Sequence, residues 1–386
     1  MRCQSLLSGG QVDRSSCLVM LTAERGGRPG TGVCPQHLQP HLSASPLPGF
    51  RDVHLQTLIG FGFLMAFLSR YGTGSMAVNF LVAAFAIQWA ILIQGHTSIA
   101  NITANMVNAE FCAGAILISV GAVLGRANPL QMLLMTLLEV ILFTVNEYIL
   151  ALSIFQHGIF YTLQVSDSGG SLTVHTFGAY FGLMVSRNLR VSFPRENNPS
   201  SKTCLFPFPS GTIYLWIFWP GFASATTVRT SAEPWAVLNS YLALAASTLA
   251  TFVISPLLHE EGTLQMVQDA TLASVAMMGM AGEMLLAPFG ALITGFLAGL
   301  ISPLGFTFLT PVLCSRLKIQ DTCGVHNVHG MPGILGALLG TLLTALATAD
   351  AYGNSRSATY QAVCQLCALP VTLLLVVLGG SVAGEF

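Results

Sequence analysis

Two histidines in this chain are set in the same short pattern. Asp167, Gly170, Val174 and His175 recur as Asp321, Gly324, Val328 and His329, with Gly three, Val seven and His eight positions after Asp in both. The copies stand 154 positions apart (175 to 329), and each His leads into an apolar segment of membrane-spanning length. A neutral imidazole offers one donor and one acceptor. Two facing imidazoles can therefore share a proton and still present an N–H and a bare nitrogen to a small polar guest. Ionisable groups inside lipid cost about 2.5–3.5 kcal/mol on insertion scales and are functional hypotheses by default. For a lone histidine a satisfied core residue is the ordinary reading; a matched pair points to a shared site. His326, three residues before His329, lies on roughly the same helix face and either orients its neighbour or packs. Asp167 and Asp321 precede their helices, where an Asp is an ordinary N-terminal cap and can also attract a cation.

Elements that could hold such a pair follow from composition. The 386 residues are 53% hydrophobic and 8% charged, against about 25% charged in a soluble domain, so most of the chain faces lipid. The formal charge of −1 and the lack of a basic run argue against nucleic acid as a partner. Cys364 and Cys367 form a C-x-x-C with no second pair, which reads as packing rather than a zinc or redox site. Residues 1–50, rich in Gly, Pro, Ser and Cys, read as a disordered or non-family segment. From 51 to 386 the chain reads as one membrane domain. A spanning helix needs about 20 mostly apolar residues. Eleven segments qualify, at roughly 53–69, 75–95, 108–125, 129–152, 170–187, 211–228, 235–256, 264–284, 286–310, 325–348 and 360–384. The expected fold is all-α and polytopic, because in lipid every backbone group must be satisfied within its own segment.

Arg70, Arg126, Arg187, Arg190, Arg195, Lys202, Arg316 and Lys318 fall in one set of alternating loops, and only Arg229 and Arg356 in the other. The first set is expected on the cytoplasmic side. The opposite side then receives the sequon at Asn101 and Thr103, a candidate glycosylation site. An odd number of spans separates the two histidine patterns, so they enter the membrane from opposite faces. That is the mark of an inverted repeat, whose site lies near the midplane between halves. Eleven spans with a cytoplasmic C-terminus put the N-terminus outside, and a further span before residue 50 is the expected resolution. Glu139, Glu147, Asp269 and Glu283 sit in or at the ends of apolar segments, with no assigned step. Aromatic residues concentrate around Trp216, Phe218, Trp219 and Phe222, as an interfacial girdle or, for Phe222 with Phe111, as the walls of a narrow pore.

With these residues in view the chain resembles the Rh glycoproteins of the ammonium transporter/Rh superfamily, and among them the type B glycoproteins. The resemblance rests on GFGFLM at 60–65, GGSLTVHTFGAYFG at 169–182, LWIFWP at 215–220, APFGAL at 287–292 and QDTCGVHNVHGMPG at 320–333. It implies a trimer, as homotrimer or with Rh-family partners, each subunit having its own pore between inverted halves. It implies twin pore histidines at His175 and His329, a phenylalanine gate at Phe111 and Phe222, and supporting aspartates at Asp167 and Asp321. Trp219 and Ala223 would line the vestibule. The implied activity is passage of ammonia after deprotonation of ammonium, with carbon dioxide proposed for some members, in the plasma membrane (basolateral in epithelia) and with no cofactor. The chain departs from the family pattern at Ala223, where the family has Asn, at Ala273, Ser274 and Val275, where it has Ala-Gly-Gly, in a longer 153–167 loop, and in lacking the family's first helix. The rival reading is a non-conducting structural subunit that assembles with transporting relatives. An intramembrane enzyme is disfavoured, since neither H-E-x-x-H nor G-x-S-x-G occurs.

Overall fold

The computed structural model describes residues 47–67, 72–94, 102–151, 165–189, 210–227, 232–258, 270–347 and 358–386. All but the last four residues of the 1–50 segment, the sequon at Asn101, the 153–164 loop and Asp269 lie outside these. Among the described residues the regular structure is helical, in eleven continuous runs that follow the eleven apolar segments of the sequence. In chain order the helices are α1 (Leu47–Leu55), α2 (Phe61–Phe67), α3 (Gly72–Gln94), α4 (Ile102–Val123), α5 (Pro129–Ala151), α6 (Phe177–Asn188) and α7 (Ser210–Ser224). After these come α8 (Glu233–Leu258), α9 (Ala273–Met278), α10 (Pro288–Leu304), α11 (Thr310–Arg316), α12 (Met331–Leu346) and α13 (Ala358–Ala383). Among the described residues seven stretches are long and apolar enough to cross a membrane. The chain is a multi-pass membrane protein.

Four single turns of π-helix interrupt or open these runs: Gln56–Gly60 between α1 and α2, Ser171–Thr176 before α6, Gly305–Leu309 between α10 and α11, and His326–Gly330 before α12. Such turns carry one residue more than an α-turn and gather at functional sites. Two of the four hold the paired histidines.

A helix buried on all sides is apolar all round, and α4 is that helix here: every residue from position 109 to 123 is buried, Glu110 and Ser119 among them. The outer helices instead leave one apolar face open, with Leu81 and Leu92 on α3, Leu249 and Phe252 on α8, and Leu374 and Val382 on α13 exposed. Lipid covers such faces without penalty.

Helices meet through glycine. In α6, a Cβ on Gly178 would stand 2.3 Å from the Ala115 carbonyl oxygen of α4, and one on Gly182 2.5 Å from that of Ser119. In α12, a Cβ on Gly336 would stand 2.5 Å from the Met277 carbonyl oxygen of α9. Gly182 and Gly336 are themselves 154 positions apart, each seven beyond its histidine, so the repeat continues past the four residues first noticed. Small residues at such points let backbones approach closely without the help of a hydrophobic driving force. The bulkier Ala273, Ser274 and Val275 are fully buried, and α9 makes its close approaches one turn later, through the Ala276 and Met277 carbonyls and through Gly279 against Gly169.

Candidate functional site

Each histidine is aimed by the same local device. Gly170 and Gly324 both adopt left-handed backbone, at φ 72° and 70°, a conformation glycine takes without a Cβ clash. Asp167 Oδ2 accepts the backbone N–H groups of Leu172 (2.9 Å) and Thr173 (2.8 Å) and the Thr173 hydroxyl (3.0 Å). Asp321 accepts those of Val325 (2.9 Å) and His326 (2.8 Å). Both aspartates therefore cap the turn that carries a histidine, as their positions suggested. Burial pushes each carboxyl up to about 6, against the opposing pull of these amides. Ser171 clamps the first turn to α9: its hydroxyl donates to the Ala276 carbonyl at 2.6 Å and accepts the Met280 N–H at 2.9 Å.

The two imidazoles meet. His175 Nδ1 and His329 Nδ1 are 3.0 Å apart, with ring centroids 5.1 Å apart and planes 2° from parallel. One shared proton fits this distance. It makes one ring the Nδ1–H tautomer and the other the Nε2–H tautomer, leaving one Nε2 as an acceptor and one as a donor. His175 Nε2 is buried and bonded to nothing else in the protein.

The rings continue on one side as a column. Trp219 lies against His175 at 5.7 Å, Phe222 against Trp219 at 5.3 Å, and Phe111 stacks on Phe222 at 4.2 Å with planes 15° apart. Phe111 comes from α4, His175 from the π-turn before α6, and Trp219 and Phe222 from one turn of α7; with His329, all five are buried. Trp219 Nε1, like His175 Nε2, has no partner in the protein. Ala223 is buried beside Phe222. On the other side of the pair, His329 joins Phe61, Leu64, Leu117, Leu272, Val325 and Val328 around a cavity of about 30 Å³. One water-sized molecule needs about 10–15 Å³ by this measure, so the cavity holds one or two such guests against apolar walls. It lies toward the end of the molecule that carries Arg126, Arg316 and Lys318, the side assigned to the cytoplasm.

Other candidates are resolved differently. His326 turns to the edge of Tyr180, at 5.8 Å, and packs there. Glu139 is reached by the Ser119 hydroxyl, which also lies 2.6 Å from the Gly178 carbonyl, so this carboxyl braces the α4–α6 contact. Glu147 accepts from Gln94 at 2.9 Å, tying α5 to α3. Cys364 is buried and Cys367 exposed on α13. The sequence reading missed an outer pair, His54 of α1 and Glu110 of α4, whose Nδ1 and Oε1 are 2.5 Å apart. A hint lay in Glu110 directly preceding Phe111, the candidate gate residue.

Comparison with known proteins agrees with this geometry. The Ammonium Transporter Family profile matches residues 44–386. Ammonium transporter Rh type B-B of Xenopus laevis is 51% identical over 366 residues, covering 87% of this chain and 76% of its own. Ammonium transporter Rh type B of Homo sapiens is 50% identical over 361 residues, covering 87% and 77%. The structure of Nitrosomonas europaea Rh50, a Rhesus-family channel, superposes with a TM-score of 0.74 at 34% identity, over 88% of this chain and 86% of that one. A sensor Amt protein shares the fold, with a TM-score of 0.69 at 17% identity over 87% and 91%. The chain therefore belongs to the Ammonium Transporter Family, within which it stands with the Rh type B proteins.

Proposed function

We propose that this protein is an ammonium/ammonia facilitator that conducts NH3 past His175 and His329 after NH4+ has left its proton outside. The observation that carries the reading is the 3.0 Å bond between the two Nδ1 atoms inside a column otherwise made of uncharged aromatic rings. A bare cation has no partner there, and burying an unpaired charge costs far more than burying a hydrogen-bonded neutral molecule. A neutral guest such as NH3 matches the pair, since it can donate to one Nε2 and accept from the other. Phe111 and Phe222 act as a gate that opens by turning two stacked rings, and the small cavity beyond His329 receives the guest on the cytoplasmic side. Carbon dioxide, also small and uncharged, is a second candidate guest. Family membership supports assembly into trimers, of this chain or with Rh-family partners, in the plasma membrane.

The test is flux. In proteoliposomes, His175→Asp and His329→Ala should each change the uptake of ammonia or methylammonium relative to the parent, read as the internal pH change after rapid mixing. Parent-like flux in both variants would sink the reading.

A further inference from the structure

Deprotonation needs a base, and the column of rings offers none on its outer side. We infer that Glu110 is the group that takes the proton from NH4+ at the outer mouth, and that His54 holds and tunes it. The inference rests on the reading that neutral NH3 passes the histidine pair.

Glu110 sits on α4 immediately before the gate residue Phe111 and is 1% exposed. Its Oε1 is engaged by His54 Nδ1 at 2.5 Å, a short contact in which the imidazole donates. Its Oε2 is buried and makes no hydrogen bond within the protein. The Thr57 hydroxyl, also near the carboxylate, is committed to the Val53 carbonyl at 3.0 Å. One oxygen is thus anchored, and the other is a buried acceptor without a hydrogen-bonded donor. The pair stands where the helices bearing both gate rings converge: α4 carries Phe111, α7 carries Phe222, and Gly221 of α7 lies against Asp52 of α1. Phe50 stacks on His54 at 5.4 Å and fixes its ring. The His54 side chain is 41% exposed, so the pair reaches from bulk solvent to the buried side of the gate. Other ionisable groups at this end are Arg51 and Asp52, in contact with each other at 3.3 Å, and Tyr214 of α7, which senses Asp52.

The step balances simply. NH4+ donates to Oε2, an N–H bond breaks, an O–H bond forms, and NH3 and a neutral carboxylic acid result. The O–H then gives its proton to external water and the carboxylate returns. Moving the proton turns two opposite charges into two neutral molecules, which a poorly hydrated site favours over keeping both ions. His54 is a positioning residue. Its Nδ1 anchors Oε1 and so fixes which carboxylate oxygen is left for the incoming NH4+.

The test measures flux in proteoliposomes against external pH at a fixed concentration of ammonium ion, with thermal unfolding and size-exclusion profiles for every variant. Glu110→Gln keeps the shape and cannot take the proton, so flux should fall at least about tenfold, and Glu110→Asp should recover part of it. His54→Gln frees Oε1 from its anchor, so flux should fall and its dependence on external pH should change. If Glu110→Gln is folded and conducts like the parent, the inference is overturned. If Glu110→Gln does not fold, His54→Gln decides alone, and an unchanged pH profile overturns it. A loss of flux in Glu110→Gln with parent-like flux in His329→Ala would keep the outer base and remove the histidine path, so the two readings fail separately.

Discussion

At the scale of single residues the aspartate caps do two jobs with opposite electrostatics. Each aligns a turn by accepting amides, and each is buried well enough to hold its proton up to about pH 6, above the ordinary aspartate value of about 3.9. A carboxyl raised in the fold binds its proton more tightly there than in the unfolded chain. Stability should then be greatest below about pH 4, decline as the pH rises through about 6, and level off above. Thermal unfolding in detergent between about pH 3.5 and 7 should show this decline, and Asp167→Asn or Asp321→Asn should flatten it. A flat profile in the parent would contradict the burial argument. The paired histidines were legible from the sequence because both lie in a repeated phrase. The His54–Glu110 contact was not, since it joins one residue from each of two segments 56 positions apart and neither segment has a counterpart that flags it.

At the scale of helices, the apolar segments were readable because lipid leaves the backbone little choice but helix. Their close contacts were only partly readable. A glycine in an apolar segment is visible, but which one meets a carbonyl, as Gly182 and Gly336 do, is not. Both have a carbonyl oxygen 2.5 Å from where a Cβ would be. Gly182→Val should push α6 from α4 and Gly336→Val should push α12 from α9, each costing about 1–3 kcal/mol as overpacking does. Melting temperature in detergent reads the loss. Because each glycine lies two turns beyond its histidine, both variants should also misplace the imidazoles and lower flux. Retained flux with a lowered melting temperature would separate the packing from the site. The π-turns were not legible at all, because hydrophobic pattern does not reveal which carbonyl an amide chooses.

At the scale of the whole molecule, function depends on keeping charge out of two places: the lipid face and the column. The lipid face is the easier to test. Leu249 lies near the middle of α8 and is 68% exposed. Leu249→Arg should cost about 2.5–3.5 kcal/mol at insertion and reduce the fraction recovered in membranes, with little effect on the flux of what does insert. Equal recovery would mean that this face is not bathed in lipid. The order of the rings belongs to this scale too. Five helical runs separate the two histidine turns, an odd number, so each half delivers its imidazole from its own side. The meeting of the two rings was foreseeable from that parity, whereas the stacking of Trp219 between gate and pair emerges only once α7 is packed.

The π-turns have a consequence for how this protein tolerates change in length. On the first copy, Asp167 and Ser171 hold the chain at one end, and Gly178 and Gly182 hold it at the other. Between these anchorages runs one residue more than a regular helix requires. Removing one residue from the Ser171–Thr176 turn would give a smoother helix with Gly178 and Gly182 still seated. Yet each residue of an α-helix turns by about 100°, so a shortened turn would swing His175 away from His329. A deletion that regularises the helix would thus disable the site, and the same holds for the His326–Gly330 turn on the other copy. The turn that looks like a flaw in the helix is the allowance that lets each histidine face its twin.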